Sequence, residues 1–172
     1  MNAQDIAVLP DLLANNLNVV IVGTAAGPIS ARQGHYYARP GNRFWRTLRE
    51  VGLTPTELRP SDYAKLLDHG IGLTDLAKGT FGVDRDLKAE DFDRMRLRSV
   101  LKTRSPRLVA FNSKTAAARY FDVPTKQISY GRQSDTIGRT IVYICCSTSP
   151  ANGHWSRQAW EELAACVLNT PI

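Results

Sequence analysis

Three short runs of β-branched and other apolar residues constrain the fold of this chain more than any other feature of its sequence. The runs cover Asn18–Gly23, Pro106–Asn112 and Thr140–Cys146. Each is almost continuously apolar, a pattern typical of strands in a parallel sheet that is covered on both faces. A fourth segment, Gly70–Asp75, predicts a shorter strand that leads into a loop. A loop rich in glycine, proline and serine is predicted from Thr24 to about Pro40.

Predicted helices separate these strands. Asn42 is placed to cap a helix that runs to Val51, and Ser61 to cap the next one. Three further helices are expected over residues 89–104, 113–121 and 155–168, and a short hairpin over 130–139. Alternating strands and helices indicate an α/β fold, a three-layer sandwich with a short, mostly parallel central sheet and helices on both faces. With 172 residues, we expect a single domain over residues 1–172.

The charge balance narrows the class of partner. Lysine and arginine total 22 residues against 16 aspartates and glutamates, a formal net charge of +6. A basic surface suits a polyanion such as nucleic acid, although many basic domains bind nothing charged. The longest apolar runs are too short to span a bilayer, and the N-terminus lacks the pattern of a signal peptide. We therefore expect no membrane partner and a cytoplasmic protein.

The cysteines and histidines do not have the spacing of metal ligands. Cys145, Cys146 and Cys166 contain no C-x-x-C pair, and the three histidines have no i, i+4 spacing. We therefore expect no metal and no other cofactor. The two adjacent cysteines end an apolar run, which indicates buried thiols in a reducing compartment.

Polar loops are expected to meet beyond the carboxyl ends of the parallel strands, where ligands bind in sheets of this kind. These loops follow Gly23, surround Thr74–Asp75 and follow Cys146. The first, Gly23–Trp45, has neither the glycine spacing of a dinucleotide site nor the Gly-Lys-Ser/Thr of a phosphate-binding loop. The last, Ser147–His154, lacks the pattern of a nucleophilic serine elbow.

Four blocks in these regions resemble the motifs of the uracil-DNA glycosylase superfamily. Gly23–Trp45, which ends in Gly-Asn-Arg-Phe-Trp, is similar to the first motif and its extension, and Gly70–Leu76 to the base-recognition strand. Phe111–Lys114 is similar to the junction before a DNA-facing helix, and Ser147–Asn152 to the loop that enters the minor groove. The resemblance is closest to the mismatch-specific uracil/thymine-DNA glycosylases and extends to the hypoxanthine-DNA glycosylase branch.

This resemblance implies a monofunctional DNA glycosylase that excises uracil from DNA, and we expect it to act as a monomer. Such an enzyme flips a nucleotide out of the stack and breaks the N-glycosidic bond through an oxocarbenium-like sugar. The chemistry requires an anion near the sugar, hydrogen bonds to the departing base and one positioned water. The alternatives are a hypoxanthine or mismatched-thymine glycosylase, and a non-catalytic protein that binds uracil-containing or abasic DNA.

The catalytic group is not obvious, because Ala25 stands where relatives carry an asparagine or aspartate that acts on water. Alanine cannot replace either residue, so another polar group has to serve. Asp75 matches the base-recognition position of the uracil enzymes and is the first candidate, with a helix N-cap as the alternative interpretation. Asn42, linked to catalysis in the hypoxanthine branch, is the second, and as a helix cap it could serve both purposes.

The resemblance also implies the residues that contact the base and the DNA. Thr24, Ala25, Tyr37 and Asp75 are expected around the flipped base, with Tyr37 stacking on it. Gly27 stands where the uracil enzymes place a tyrosine against the methyl group of thymine, so exclusion of thymine is in doubt. Contacts with the DNA backbone and the vacated stack are expected from Ser30, Lys114, Ser147, Thr148, Ser149, Asn152 and His154.

Overall fold

A single twisted sheet forms the centre of the computed structural model, which describes residues 7–169. Within those residues the strands are β1 (Val19–Ala26), β2 (Ile71–Phe81), β3 (Leu108–Phe111), β4 (Gly131–Ile137) and β5 (Thr140–Ile144). The strand order is β2-β1-β3-β5-β4. β1 pairs in parallel with β2 and β3, β3 pairs in parallel with β5, and β4 joins β5 through an antiparallel hairpin. The predicted mostly parallel sheet is confirmed. The segment 130–139, predicted as a short hairpin of its own, instead supplies only β4, which pairs with β5.

Helices cover both faces of this sheet. They are α1 (Pro28–Gln33), α2 (Phe44–Glu50), α3 (Arg94–Arg104), α4 (Lys114–Phe121) and α5 (Gln158–Leu168), with 3₁₀ segments at Pro60–His69, Asp84–Asp86, Ala89–Asp91 and Thr125–Gln127. Phe44 of α2 and Trp160 of α5 are buried on one face. Leu97 and Leu101 of α3 and Ala117 of α4 are buried on the other. The predicted three-layer α/β sandwich is therefore confirmed.

The strands divide their side chains between these two cores because successive residues of a strand point to opposite faces. Val19 and Ile21 of β1 lie in the α2–α5 core. Val20 and Val22 lie in the α3–α4 core. Such double burial is the physical reason for the unbroken apolar runs.

None of the helices in residues 7–169 has the length and apolar character needed to cross a membrane.

Two strands extend further than predicted, and both do so at the edge where loops were expected. β1 continues to Ala26 and α1 begins at Pro28, inside the segment predicted as a loop. β2 continues past Asp75 to Phe81, because its pairing with β1 persists beyond that residue. Asp75 therefore lies within a strand, and its alternative interpretation as a helix N-cap is wrong.

Several helix boundaries also differ from the predicted ones. α3 begins at Arg94, where the Asp93 carboxylate accepts a hydrogen bond from the backbone N–H of Arg96 at 2.8 Å. The helix that Ser61 was expected to cap is a run of 3₁₀ turns over Pro60–His69 with Arg59 at its N-cap, and α5 begins at Gln158. Capping by Asp93 thus sets the start of α3 within this charged segment.

Residues 7–18, here called the N-terminal strap, run along β2, which is an edge strand of the sheet. The backbone of Leu12 exchanges two hydrogen bonds with Leu73, at 2.9 and 2.8 Å, and Val8 N–H donates to the Lys78 carbonyl at 2.8 Å. Gly72 makes this close approach feasible, since a Cβ there would lie 2.8 Å from the Leu12 carbonyl oxygen. The strap thereby covers the edge of β2 and brings Asp11 beside it.

Candidate active site

The Asp75 carboxylate lies at the carboxyl edge of the sheet, beside Gly23 of the neighbouring strand. The two residues are paired in register. A Cβ at Gly23 would lie 2.5 Å from Asp75 Oδ1 and 3.4 Å from the Tyr37 hydroxyl oxygen. The missing side chain of Gly23 therefore provides the space in which the carboxylate and the phenol come together. Two of the predicted site residues, Asp75 and Tyr37, are brought together as expected.

Burial and nearby charges set the ionisation of Asp75, which is 4% exposed. Loss of hydration raises its pKa, Lys78 lowers it, Asp11 raises it and Arg96 lowers it, and the resulting pKa is about 6. At pH 7 the ionised form would predominate by about ten to one. A buried carboxylate with such a pKa is able both to stabilise a cation and to accept a proton from water.

Tyr37 is held in a constrained position next to this carboxylate. Its backbone has a left-handed φ of 52°, and its ring stacks on Phe44 with centroids 3.8 Å apart and an interplanar angle of 20°. Its buried hydroxyl has no hydrogen-bond partner of good geometry among the described residues, although the Asn112 side chain is near. Burial and the Asp75 carboxylate both raise the pKa of Tyr37. Since Phe44 occupies one face of the ring, a flipped base would have to use the other.

Asn42, the predicted cap of α2, lies two residues before the helix and one position ahead of the N-cap residue, which is Arg43. Its Oδ1 accepts a hydrogen bond from the backbone N–H of Phe44, the first residue of α2, at 3.0 Å. The oxygen is thus used locally, and the amide N–H groups are the part of Asn42 that a substrate could engage. Its catalytic role stays a prediction.

The residue after it, Arg43, joins the start of α2 to the loop that follows β5. Its backbone N–H donates to the Thr148 carbonyl at 2.9 Å, and its guanidinium donates to the Ser149 carbonyl at 3.1 Å. The same guanidinium lies 5.5 Å from the centre of the Trp155 ring. Arg43 was not among the predicted site residues, although it belongs to the Asn-Arg-Phe-Trp block.

A second connection ties the end of β3 to the same loop. The Asn112 side chain donates to the Thr148 hydroxyl at 2.9 Å and accepts from the Thr148 backbone N–H at 3.2 Å. Thr148 is 1% exposed. The helix cap of α4 is the next residue, Ser113, whose hydroxyl accepts a hydrogen bond from Ala116 N–H. A phosphate contact by the Thr148 side chain is not supported by this buried position.

The rest of the loop is braced internally, and its tip is open. Asn152 donates to the Ser147 carbonyl and to Cys146 Sγ, and its oxygen accepts from His154 N–H. The Ser147 and Ser149 hydroxyls accept backbone N–H groups of the loop, at 3.3 Å each. His154 is exposed beyond these contacts. Of the two residues expected to contact DNA here, His154 has an exposed side chain, whereas the Asn152 side chain is committed to the loop.

Three other predicted residues have distinct positions. Ser30 is 5% exposed and its hydroxyl accepts from Ala38 N–H at 3.0 Å, so it organises the loop after α1 and does not offer a phosphate contact. Thr24 is buried, and its hydroxyl interacts with Asp84. Strand alternation directs Thr24 away from the face on which Asp75 lies, whereas Ala25 is on the Asp75 face with no group for hydrogen bonding.

Lys114 stands at the same edge of the sheet, at the start of α4. Its Nζ lies 4.5 Å from the centre of the Tyr130 ring. Tyr130 is 45% exposed and directly precedes β4, whose first residue pairs with the last residue of β5.

In residues 7–169 no group of three or more histidine, cysteine, aspartate or glutamate side chains has an arrangement that could hold a metal ion.

Comparison with known proteins identifies the family to which this fold belongs. The family model described as the uracil DNA glycosylase superfamily matches residues 10–167. The fold is similar to the solution NMR structure of a proposed uracil DNA glycosylase from Methanosarcina acetivorans, with a TM-score of 0.59 and 24% sequence identity. That similarity covers 92% of this chain and 94% of the other. Since the family model spans nearly the whole chain, this protein belongs to the uracil DNA glycosylase superfamily, a family of DNA glycosylases.

Proposed function

We propose that this protein is a monofunctional DNA glycosylase that flips uracil out of DNA and hydrolyses its N-glycosidic bond. The observation that carries this proposal is the buried Asp75 carboxylate beside Gly23 and the stacked Tyr37 ring. As the glycosidic bond breaks, positive charge develops on the sugar. A carboxylate in a site that excludes water stabilises such charge more strongly than it would in bulk solvent.

Asp75 has two compatible roles in this reaction. Its carboxylate opposes the developing charge on the sugar, and with a pKa of about 6 it is also suited to take a proton from the attacking water. Tyr37 would stack on the base, and the amide group of Asn42 would donate a hydrogen bond to the substrate. Because a carboxylate cannot donate a hydrogen bond to the uracil O4, contacts of Asp75 with the base would be to an N–H.

The surroundings of the nearest lysine support a hydrolytic reaction rather than strand cleavage. Lys78 lies 4.0 Å from Asp75, but its ammonium pairs with Asp11 at 3.0 Å and donates to the Tyr36 hydroxyl at 3.0 Å. A protonated amine has no lone pair with which to form a Schiff base on the abasic sugar. The expected product is therefore an intact strand with an abasic site.

Hypoxanthine is a second candidate base, and the space at Gly27 favours it. A Cβ added at Gly27 would have no heavy atom within 4 Å, and the neighbouring Ala25 has only a methyl group. A larger base therefore meets no side chain from these two positions. The Asp75 carboxylate could accept a hydrogen bond from the N1–H of hypoxanthine.

A panel of oligonucleotides tests both candidates. Duplexes of one sequence would carry uracil, hypoxanthine, xanthine, thymine opposite guanine, or an undamaged base as the control. We expect release of free uracil, with strand breakage only after alkali. A gel shift without base release would identify the non-catalytic alternative, and breakage without alkali would contradict the monofunctional assignment.

Substitution of Asp75 tests the catalytic assignment. We expect Asp75→Ala to slow single-turnover excision by about 10²-fold or more while DNA affinity is largely kept, since general-base and electrostatic help of this size is common. Asp75→Asn should be nearly as slow because charge is required, and a thermal melt of each variant checks that it is folded. If folded Asp75→Ala keeps the parental rate, Asn42 becomes the leading candidate.

A further inference from the structure

A buried lysine, three residues beyond Asp75 on β2, faces the same carboxylate. Residues three apart on a regular strand point to opposite faces, but the register of β1 and β2 breaks here: Ala25 pairs with Ala77, whereas Ala26 pairs with Phe81. The extra residues of β2 form a bulge, and bulges re-aim side chains. As a result Lys78 Nζ lies 4.0 Å from Asp75 Oδ2, with a side chain only 9% exposed.

Lys78 is held in place from two sides. Asp11 of the N-terminal strap pairs with its Nζ at 3.0 Å, and the Tyr36 hydroxyl accepts a hydrogen bond from it at 3.0 Å. That hydroxyl in turn donates to the Pro10 carbonyl at 3.1 Å. The ammonium therefore cannot swing away from Asp75 without breaking contacts with the strap.

Asp11 also receives a second cation, Arg96 of α3. The Arg96 guanidinium pairs with Asp11 Oδ2 at 2.8 Å and donates to the backbone carbonyl of Asp75 at 2.7 Å. Thr74 completes the set by donating to Asp11 Oδ1 at 2.6 Å. Two carboxylates and two cations thus balance, which is the arrangement that partly buried charges require.

We propose that Lys78 is a positioning residue for the reaction: its ammonium, fixed by Asp11, orients the Asp75 carboxylate and keeps it ionised. This inference rests on the proposed function of Asp75. A carboxylate as buried as Asp75 would take up a proton if no opposite charge were near. The charged and titratable groups that face it are Lys78 on its own strand, Asp11 of the strap, Arg96 of α3, and Tyr36 and Tyr37 of the segment after α1.

The test is the pH dependence of single-turnover excision in two variants that should move in opposite directions. Activity that needs ionised Asp75 is lost as the pH falls through the pKa of Asp75. Lys78→Met removes the cation that lowers this pKa, so the acidic limb should move to higher pH by about one to three units. Asp11→Asn removes the carboxylate that raises it but keeps an amide oxygen that can accept a hydrogen bond from Lys78, so the limb should move to lower pH.

Matched variants separate this effect from a loss of folding. Lys78→Arg keeps a cation and should restore a limb close to the parental one, and Lys65→Met removes an exposed lysine and should leave the limb in place. Lys78→Gln replaces Lys78→Met if the latter does not fold. The proposal is overturned if a folded Lys78 variant without charge keeps the parental limb, or if the Lys78 and Asp11 variants shift it in the same direction.

A second readout does not depend on excision. The ¹³C chemical shift of the Asp75 carboxyl group, followed by NMR against pH in the free protein, reports its ionisation directly. Opposite shifts of this titration in the two variants would support the role of Lys78 even if no base release were found, in which case only the proposed function fails. An unchanged titration in Lys78→Met would overturn the inference whatever the activity.

Discussion

A hydrogen in place of a methyl group at Gly23 decides whether Asp75 has room at the edge of the sheet. The position where a Cβ would stand is 2.5 Å from the carboxylate oxygen, closer than non-bonded atoms tolerate. The backbone of Gly23 is not in the left-handed region, so glycine is needed at this position for space and not for backbone conformation. Its identity is therefore coupled to that of Asp75, which lies 52 positions away and in register on the next strand.

We expect Gly23→Ala to slow excision at least tenfold, because the added methyl group displaces the Asp75 carboxylate and misplacement by about 1 Å can cost about 10²-fold. Overpacking of this kind also costs about 1–3 kcal/mol in the free energy of unfolding. Single-turnover rates and urea unfolding measure the two effects. Gly79→Ala on the same sheet is the control, since a Cβ there meets no heavy atom within 4 Å. Equal rates for both variants would show that Asp75 adapts freely.

Asp75 and Tyr37, both expected around the base, lie together beside Gly23, but the sequence did not indicate the residues that support them. The resemblance to the glycosylase motifs implied both Asp75 and Tyr37. Asp11 belongs to no motif, and Lys78 lies where a loop was expected, so their contact depends on a bulge that no periodicity predicts. Several hydroxyl and amide side chains expected to contact DNA instead bond to loop backbone, because such groups serve either purpose equally well.

At the scale of elements, loops from three parts of the chain behave as one unit. Asn112 after β3 and Arg43 before α2 both bond to Thr148, and Arg43 also lies against Trp155. The open tip with His154 is therefore mounted on two separate strand and helix ends. This arrangement gives the loop a firm base, as the proposed contact with DNA requires.

A double-mutant cycle between Asn112 and Thr148 tests this coupling. We expect Asn112→Ala and Thr148→Val to be non-additive by about 0.5–3 kcal/mol in the free energy of unfolding, as is usual for partners in one hydrogen-bond network. Denaturant unfolding gives the values, and excision rates of the same variants show whether the loop must be rigid. Additive effects would mean that the Asn112 and Thr148 side chains have no interaction free energy.

The strands that were predicted well are those buried on both faces, such as the run that contains Val20 and Ile21. The apolar pattern of these strands follows from their burial in the sheet and requires no particular partner elsewhere in the fold. β2 was predicted only to Asp75 because the residues that follow, Lys78 and Gly79 among them, are rare in strands, and partners elsewhere in the fold hold them there. The start of α3 was misplaced for a similar reason, since a charged segment gives little indication of where capping begins.

At the scale of the whole molecule, the net charge of +6 predicts DNA binding that weakens as salt is added. If about four phosphates are neutralised, the logarithm of the association constant should fall with a slope of about −3.6 per logarithmic unit of salt. Fluorescence anisotropy with an undamaged duplex at several salt concentrations measures it. A flat profile would argue against contact with the DNA backbone.

The N-terminal strap has a further consequence, which concerns self-association. Leu12 and Val8 occupy backbone groups on the outer side of β2. Without them, a strand containing Ile71 and Leu73 would present unpaired N–H and C=O groups to any neighbouring molecule. A proteolytic cut that releases the strap would therefore open the sheet to edge-to-edge aggregation and, in the same event, take Asp11 from Lys78. One cut would thus cause two losses, the cover of the β2 edge and the carboxylate that pairs with Lys78.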